Sequence, residues 1–244
     1  MEYLKNLVEY YDELYPVSDS QRDFYNDLIN LYPRPVKILR THCATGYFEH
    51  SLAKEGLDVT GIEQNKDLIR SANLRRRNQL MTVRFFEMSS LDMARFLGKN
   101  FYNIISSLES RICFIHGPIL IKKFFHDCVQ LLSSKGILVL KLINFEKYGS
   151  LEKVKLSTRH SIRSKLDTEL LIDKQGTSIV NQKIETGNGK YLPVLEDIPF
   201  YPLTADEILQ FGKDTGFKKI EFYADFDKSP FTGKEDEVLA ILKI

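Results

Sequence analysis

The chain has 244 residues, 43% apolar and 27% charged, with 34 basic against 33 acidic side chains and a formal net charge of +1. Such a length supplies the core of one α/β domain of ordinary size without staples, and the balanced charge excludes a strong field steering it to nucleic acid or anionic lipid. The three cysteines, Cys43, Cys113 and Cys128, form neither a metal-ligand spacing nor a disulfide framework, and read as reduced core thiols of a cytoplasmic protein. No apolar signal-peptide run opens the chain, and no stretch approaches the roughly 20 apolar residues of a membrane span.

Residues 1–31 carry a helical stripe of Leu4, Leu7, Val8, Tyr11 and Leu14, interrupted at Pro16; Ser18 is placed to cap a second helix that Pro33 and Pro35 end. Val36–Leu39 reads as a short strand, Gly46–Lys54 as a helix stopped by Gly56, and Leu57–Ile62 as the next strand. Asn65 is placed to cap a helix to about Asn78, ahead of a strand at Thr82–Phe86, a short helix at Leu91–Leu97 and a strand at Phe101–Ser106. Pro118–Leu132 reads as a helix, and Gly136–Leu140 as a continuous apolar strand of the kind covered on both faces. Strict alternation of this kind predicts a doubly wound, mostly parallel sheet.

From 151 to 203 the pattern changes to antiparallel alternation, with strands at Ser161–Leu166, Glu169–Ile172 and Ser178–Gln182 and turns at Lys174–Gly176 and Gly187–Gly189. Thr204 caps a helix to Thr215, and Lys219–Tyr223 and Glu237–Leu242 close the chain as a hairpin. The expected architecture is α/β: a seven-stranded Rossmann-like sheet from 36–150 and 204–244, an N-terminal helical lid at 1–35, and a small antiparallel β insertion at 151–203 over the carboxyl edge of the sheet.

Ligands of such sheets bind outside the carboxyl ends of the strands, near the switch point. Those ends are Arg40–Gly46, Glu63, Glu87–Ser90 and Ser106–Ser110. Glu63 tips the second strand, and its two acceptor oxygens suit both hydroxyls of a ribose. Ala44–Gly46 open a helix whose free N–H groups suit a carboxylate. Cys43 reads as a packed small residue, since it lacks a paired histidine signature. Arg75-Arg76-Arg77 and Lys122-Lys123 read as solvated helix faces.

These segments resemble the class I S-adenosylmethionine-dependent methyltransferases, in particular the small-molecule branch related to glycine and sarcosine methyltransferases. The resemblance rests on Tyr10–Tyr15 as a lid segment, Ile38–Gly46 as strand and glycine-rich turn, Gly61-Ile62-Glu63 with its ribose acid, Leu131–Leu140, Leu142–Lys147, and the ending from Gly216-Phe217 to Phe226 and Pro230-Phe231. It implies methyl transfer from S-adenosylmethionine to a small-molecule substrate, with no nucleic-acid or membrane partner. The implied cofactor positions are Arg40, His42, Ala44, Gly46, Glu63, Gln64, Ser89 and Ser106; the implied acceptor wall is Tyr11, Tyr15 and Asn144. Arg159 and His160 are candidates for an anionic acceptor.

The departures from the family pattern are specific. Arg40 stands in place of an acid, where a like charge opposes the methionine ammonium. His42 and Ala44 replace glycines, adding Cβ atoms to the turn. Asn103 replaces a strand aspartate, and Glu109-Ser110-Arg111 fills a loop of usually small residues. They keep open a second reading: a methyltransferase fold without turnover that binds a nucleoside metabolite or a partner protein. A nucleic-acid methyltransferase is disfavoured by the absence of a basic stripe and of an Asn-Pro-Pro-Tyr-like motif after the fourth strand.

Overall fold

The computed structural model describes residues 4–76, 82–150, 152–173 and 177–244. In chain order the elements are α1 (Lys5–Val8), α2 (Tyr11–Leu14), α3 (Asp19–Ile29), β1 (Lys37–Thr41), α4 (Tyr47–Lys54), β2 (Asp58–Glu63), α5 (Lys66–Arg76), β3 (Val83–Glu87), α6 (Met93–Phe96) and β4 (Tyr102–Ser107). A 3-10 turn (Arg111–Phe114) leads to α7 (Pro118–Leu131), β5 (Leu132–Ile143) and a second such turn (Phe145–Lys147). Then come β6 (Glu152–Lys155), β7 (Arg159–His160), β8 (Ser164–Ile172), β9 (Ser178–Thr186), β10 (Tyr191–Phe200), α8 (Ala205–Thr215), β11 (Lys219–Tyr223) and β12 (Glu237–Lys243). The chain divides into two compact units, Val17–Lys147 with Leu203–Ile244 and Met1–Pro16 with Tyr148–Pro202. The stretch read as one N-terminal segment, 1–35, therefore contributes to both.

The larger unit holds the expected seven-stranded sheet, in the order β11-β12-β5-β4-β1-β2-β3. The five strands β1 to β5 pair in parallel, and the terminal hairpin adds β12 antiparallel to β5 and β11 antiparallel to β12. Strand order reverses between β1 and β4, which makes their carboxyl ends the switch point. Ile38, Val59, Ile104 and Val139 form the buried centre with Phe24, Tyr25 and Phe48 from α3 and α4. The capping signals act where the sequence places them. Ser18 accepts from the Gln21 N–H, Asn65 from Asp67 and Leu68, and Thr204 forms a reciprocal box with Glu207. Gly216 ends α8 in the left-handed region that glycine adopts without penalty.

The smaller unit is an antiparallel sheet ordered β10-β9-β8-β6, with β7 beside β8. Its register departs from the sequence reading. Glu169–Ile172 and the second half of Ser161–Leu166 belong to one strand, β8, because Leu166, Leu170 and Ile172 are buried in step on one face. β10 lacked a strand signal because Pro193 and Pro199 cannot donate to a ladder; an edge position tolerates them, and the pairing shifts register between Leu195 and Ile198. The Lys174–Gly176 turn lies outside the described residues. The N-terminal stripe resolves into two four-residue helices rather than one long one, with Leu4, Leu7 and Leu14 buried. Arg163 holds them by forking onto Glu9 and Glu13 at 3.0 and 2.6 Å. Among the described residues no helix is long and apolar enough to cross a membrane.

Candidate functional site

The turn after β1 keeps a glycine-rich path without the glycines. His42, Ala44 and Gly46 have φ of 56°, 50° and 68°, all in the left-handed region. Only the last carries a residue free of penalty there. The non-glycine residues are held by their contacts. The Ala44 N–H donates to Glu63 Oε2 at 3.2 Å, and the His42 ring sits between Ser90 Oγ at Nε2 (3.3 Å) and Ser107 Oγ at Nδ1 (3.4 Å). Ser107 ends β4 and His42 follows β1, so the imidazole bridges the switch point itself. Burial pushes the His42 pKa down to about 4; nearby Glu63 opposes this, and the Arg111 and Arg40 cations add to it. The ring is therefore neutral near pH about 7, with one nitrogen donating and the other accepting.

Arg40 does not stand alone at the strand tip. Its Nε lies 3.6 Å from Glu49 Oε1 on α4, and both side chains are almost wholly buried. The charge that opposed a ligand cation in the sequence reading is compensated from within the protein. Glu49 carried a signal of its own, an acid on the buried face of a helix beside Leu52 and Ala53.

Glu63 is buried to 3% exposure at the end of β2. Its Oε1 accepts from the Asn65 N–H at 3.0 Å and its Oε2 from Ala44. Arg111, from the turn after β4, brings Nη2 to 3.8 Å from Oε2. Sequence reasoning missed Arg111 as a partner, although the loop carrying it stood out for its large residues. Gln64 is exposed beside this acid. Ser89 Oγ accepts from the Leu91 N–H at 3.2 Å, while Ser90 reaches His42. Ser106 is buried in β4 opposite Arg40 in register, and its carbonyl accepts from Thr41 Oγ1 at 3.2 Å. Asn103 lies at the other end of β4, where its Oδ1 accepts from the Lys37 N–H at 2.9 Å and its amide donates to Ser133. It knits strand starts and is remote from the carboxyl ends. Cys43 is buried, and burial pushes its thiol well above the ordinary range, as expected of packing rather than nucleophilic attack.

Asn144, placed at the acceptor wall by the resemblance, donates from Nδ2 to the carbonyls of Gly233 and Glu235 at 2.9 and 3.0 Å, while its N–H binds Asp236 O. It ties the end of β5 to the loop before β12. Asn144→Ala is expected to cost about 2 kcal/mol by leaving those carbonyls short of a donor, a loss that chemical denaturation reads directly and that a solely catalytic role does not produce. In the smaller unit, Tyr11 and Tyr15 stack at 4.8 Å between ring centroids, and the Arg159 guanidinium lies 4.4 Å from the Tyr15 ring centroid. His160 is exposed on β7.

No protein-family profile and no curated protein matches the chain. Solved structures do. The CcbJ methyltransferase from Streptomyces caelestis is 15% identical with a TM-score of 0.79, covering 98% of this chain and 96% of that one. An S-adenosylmethionine-dependent methyltransferase from Clostridium acetobutylicum is 13% identical with a TM-score of 0.78, covering 100% and 99%. The chain has the class I S-adenosylmethionine-dependent methyltransferase fold. CalS10, an amino pentose methyltransferase from Micromonospora echinaspora solved with its cofactor bound, superposes on the same fold with a TM-score of 0.71 at 14% identity, covering 97% and 96%. Within this methyltransferase fold, the residues brought together at the switch point are His42, Ala44, Gly46, Glu63, Ser90, Ser107 and Arg111.

Proposed function

We propose that this chain transfers a methyl group from S-adenosylmethionine to a small-molecule acceptor of the amine-bearing sugar kind. The observation that carries the reading is Glu63. It sits at the tip of β2 next to the switch point, and among the described residues each of its oxygens accepts one backbone N–H, so that each has a second acceptor direction for a vicinal diol, the one on Oε2 being contested by Arg111. The left-handed path through His42, Ala44 and Gly46 supports it, since the backbone keeps the course of a nucleoside-binding turn. The acceptor class is supported by CalS10 and by KedS8, a sugar N-methyltransferase from Streptoalloteichus with the same fold.

When bound, the cofactor supplies a sulfonium methyl that is already activated. The chain's own task is then to hold the ribose at Glu63, exclude water, and align an acceptor within roughly 3–3.5 Å of the methyl. His42, neutral and clamped by two hydroxyls, adds no opposing charge at neutral pH. Asn144 shapes the wall by holding the 233–236 loop. Tyr11 and Tyr15 are assigned to the acceptor on the resemblance.

Calorimetric titration tests the reading. The wild-type chain is expected to bind S-adenosylmethionine and S-adenosylhomocysteine, and Glu63→Gln to bind both at least about tenfold more weakly, since a charged acceptor is replaced by a neutral one. Absence of heat and of any thermal shift at millimolar ligand sinks it, because a ligand at 100 times its dissociation constant adds about 2.7 kcal/mol of stability. A second reading, a methyltransferase fold without turnover, is favoured by Arg111, which already contacts the acid a ribose needs. Transfer of a labelled methyl to amino sugars separates the two.

A further inference from the structure

We infer that Arg111 is a built-in competitor for the ribose-holding acid, so that affinity for a nucleoside cofactor is set by how readily this guanidinium leaves Glu63. The inference rests on the reading of Glu63 as the ribose acid.

Acceptor capacity on Glu63 sets the competition. A carboxylate offers about two acceptor directions on each oxygen. On Oε1 one is taken by Asn65, and on Oε2 one by Ala44. A vicinal diol needs the remaining direction on both. At Oε2 it meets Arg111 Nη2, 3.8 Å away, on a side chain only 14% exposed beside an acid at 3%. In these buried surroundings an opposite charge at that distance is a strong partner. A neutral hydroxyl displaces it only at a cost.

The loop is built to hold Arg111 there. Glu109 and Ser110 are consecutive non-glycine residues with φ of 55° and 56°, a pairing that side chains disfavour and that persists only when the surroundings impose it. The imposition comes from β5: Ser110 N–H donates to the Lys141 carbonyl at 3.1 Å, and Ser110 Oγ accepts from the Ile143 N–H at 2.9 Å. In the same position the guanidinium lies 6.0 Å from the Phe114 ring centroid, at the outer limit of a cation–π contact.

The test is calorimetric titration of S-adenosylhomocysteine into the wild type, Arg111→Gln and Arg111→Met, the last keeping the apolar stem should the first fail to fold. Both variants are expected to bind at least tenfold more tightly than the wild type. The gain should also appear with adenosine, vanish with 2′,3′-dideoxyadenosine, and vanish when Glu63→Gln is combined with Arg111→Gln. Unchanged or weaker binding by both variants, with a wild type that binds, overturns the inference and leaves the cofactor reading standing. Binding by none of the three at millimolar ligand overturns both.

Discussion

As the pH falls from the ordinary histidine value of 6.5 to about 4, the folded chain is expected to lose up to about 3 kcal/mol of stability through His42 alone. In the folded state the ring stays neutral down to about 4; in the unfolded chain it takes a proton near 6.5. Between those values the unfolded state binds more protons, so stability rises with pH in that window and falls as the solution is acidified. The contribution is fully present above the upper value and lost as pH falls through the lower. The cause is burial first, with the Arg111 and Arg40 cations acting the same way and Glu63 against them. His42→Asn is the informative variant, since asparagine tolerates left-handed backbone better than most residues and does not titrate. Denaturant unfolding across the window is expected to give a slope for the wild type steeper by up to about 1.4 kcal/mol per pH unit. Parallel curves for the two proteins rule out a buried neutral imidazole.

Gly46→Ala is expected to destabilise the larger unit by about 3 kcal/mol, the sum of a left-handed backbone penalty of about 1–2 and overpacking of about 1–3. Its φ is 68°, and an added Cβ meets the Phe85 ring at 2.6 Å and Ala72 at 3.0 Å. Phe85 lies in the core and has little room to retreat. Gly61 meets the same ring at 2.6 Å and Cys43 Sγ at 2.8 Å, without a left-handed φ. Truncating the ring separates the two terms. In a Phe85→Leu, Cys43→Ala background, which removes both of its close neighbours, the cost of Gly61→Ala should largely disappear, while Gly46→Ala should keep its backbone share. Equal rescue of both, followed by thermal and chemical denaturation, contradicts a strained turn at Gly46.

The turn illustrates how far sequence reasoning reached. The missing glycines at 42 and 44 were legible as departures whose added Cβ atoms narrow the ligand's space and restrict the turn's dihedrals. The structure shows His42 and Ala44 in the left-handed region nonetheless, tied down by Ser107 and Glu63. Arg40 was legible as a misplaced charge, but its neutralisation by Glu49 depends on how α4 returns onto β1. The smaller unit was legible as antiparallel strands, whereas β10 was hidden by prolines that only an edge position accommodates.

By itself the sequence determined the order and type of the elements in the larger unit, the caps at Ser18, Asn65 and Thr204, and the strand-tip acid Glu63. These are written in local periodicity and in residues that satisfy backbone groups a few positions away. The tertiary structure alone decided the company those residues keep. Ser90 and Ser107 reach His42 from 48 and 65 residues away, and Arg111 reaches Glu63 across the switch point. Contacts at such separations follow from which strands become neighbours and in what register, and local propensity carries no record of that.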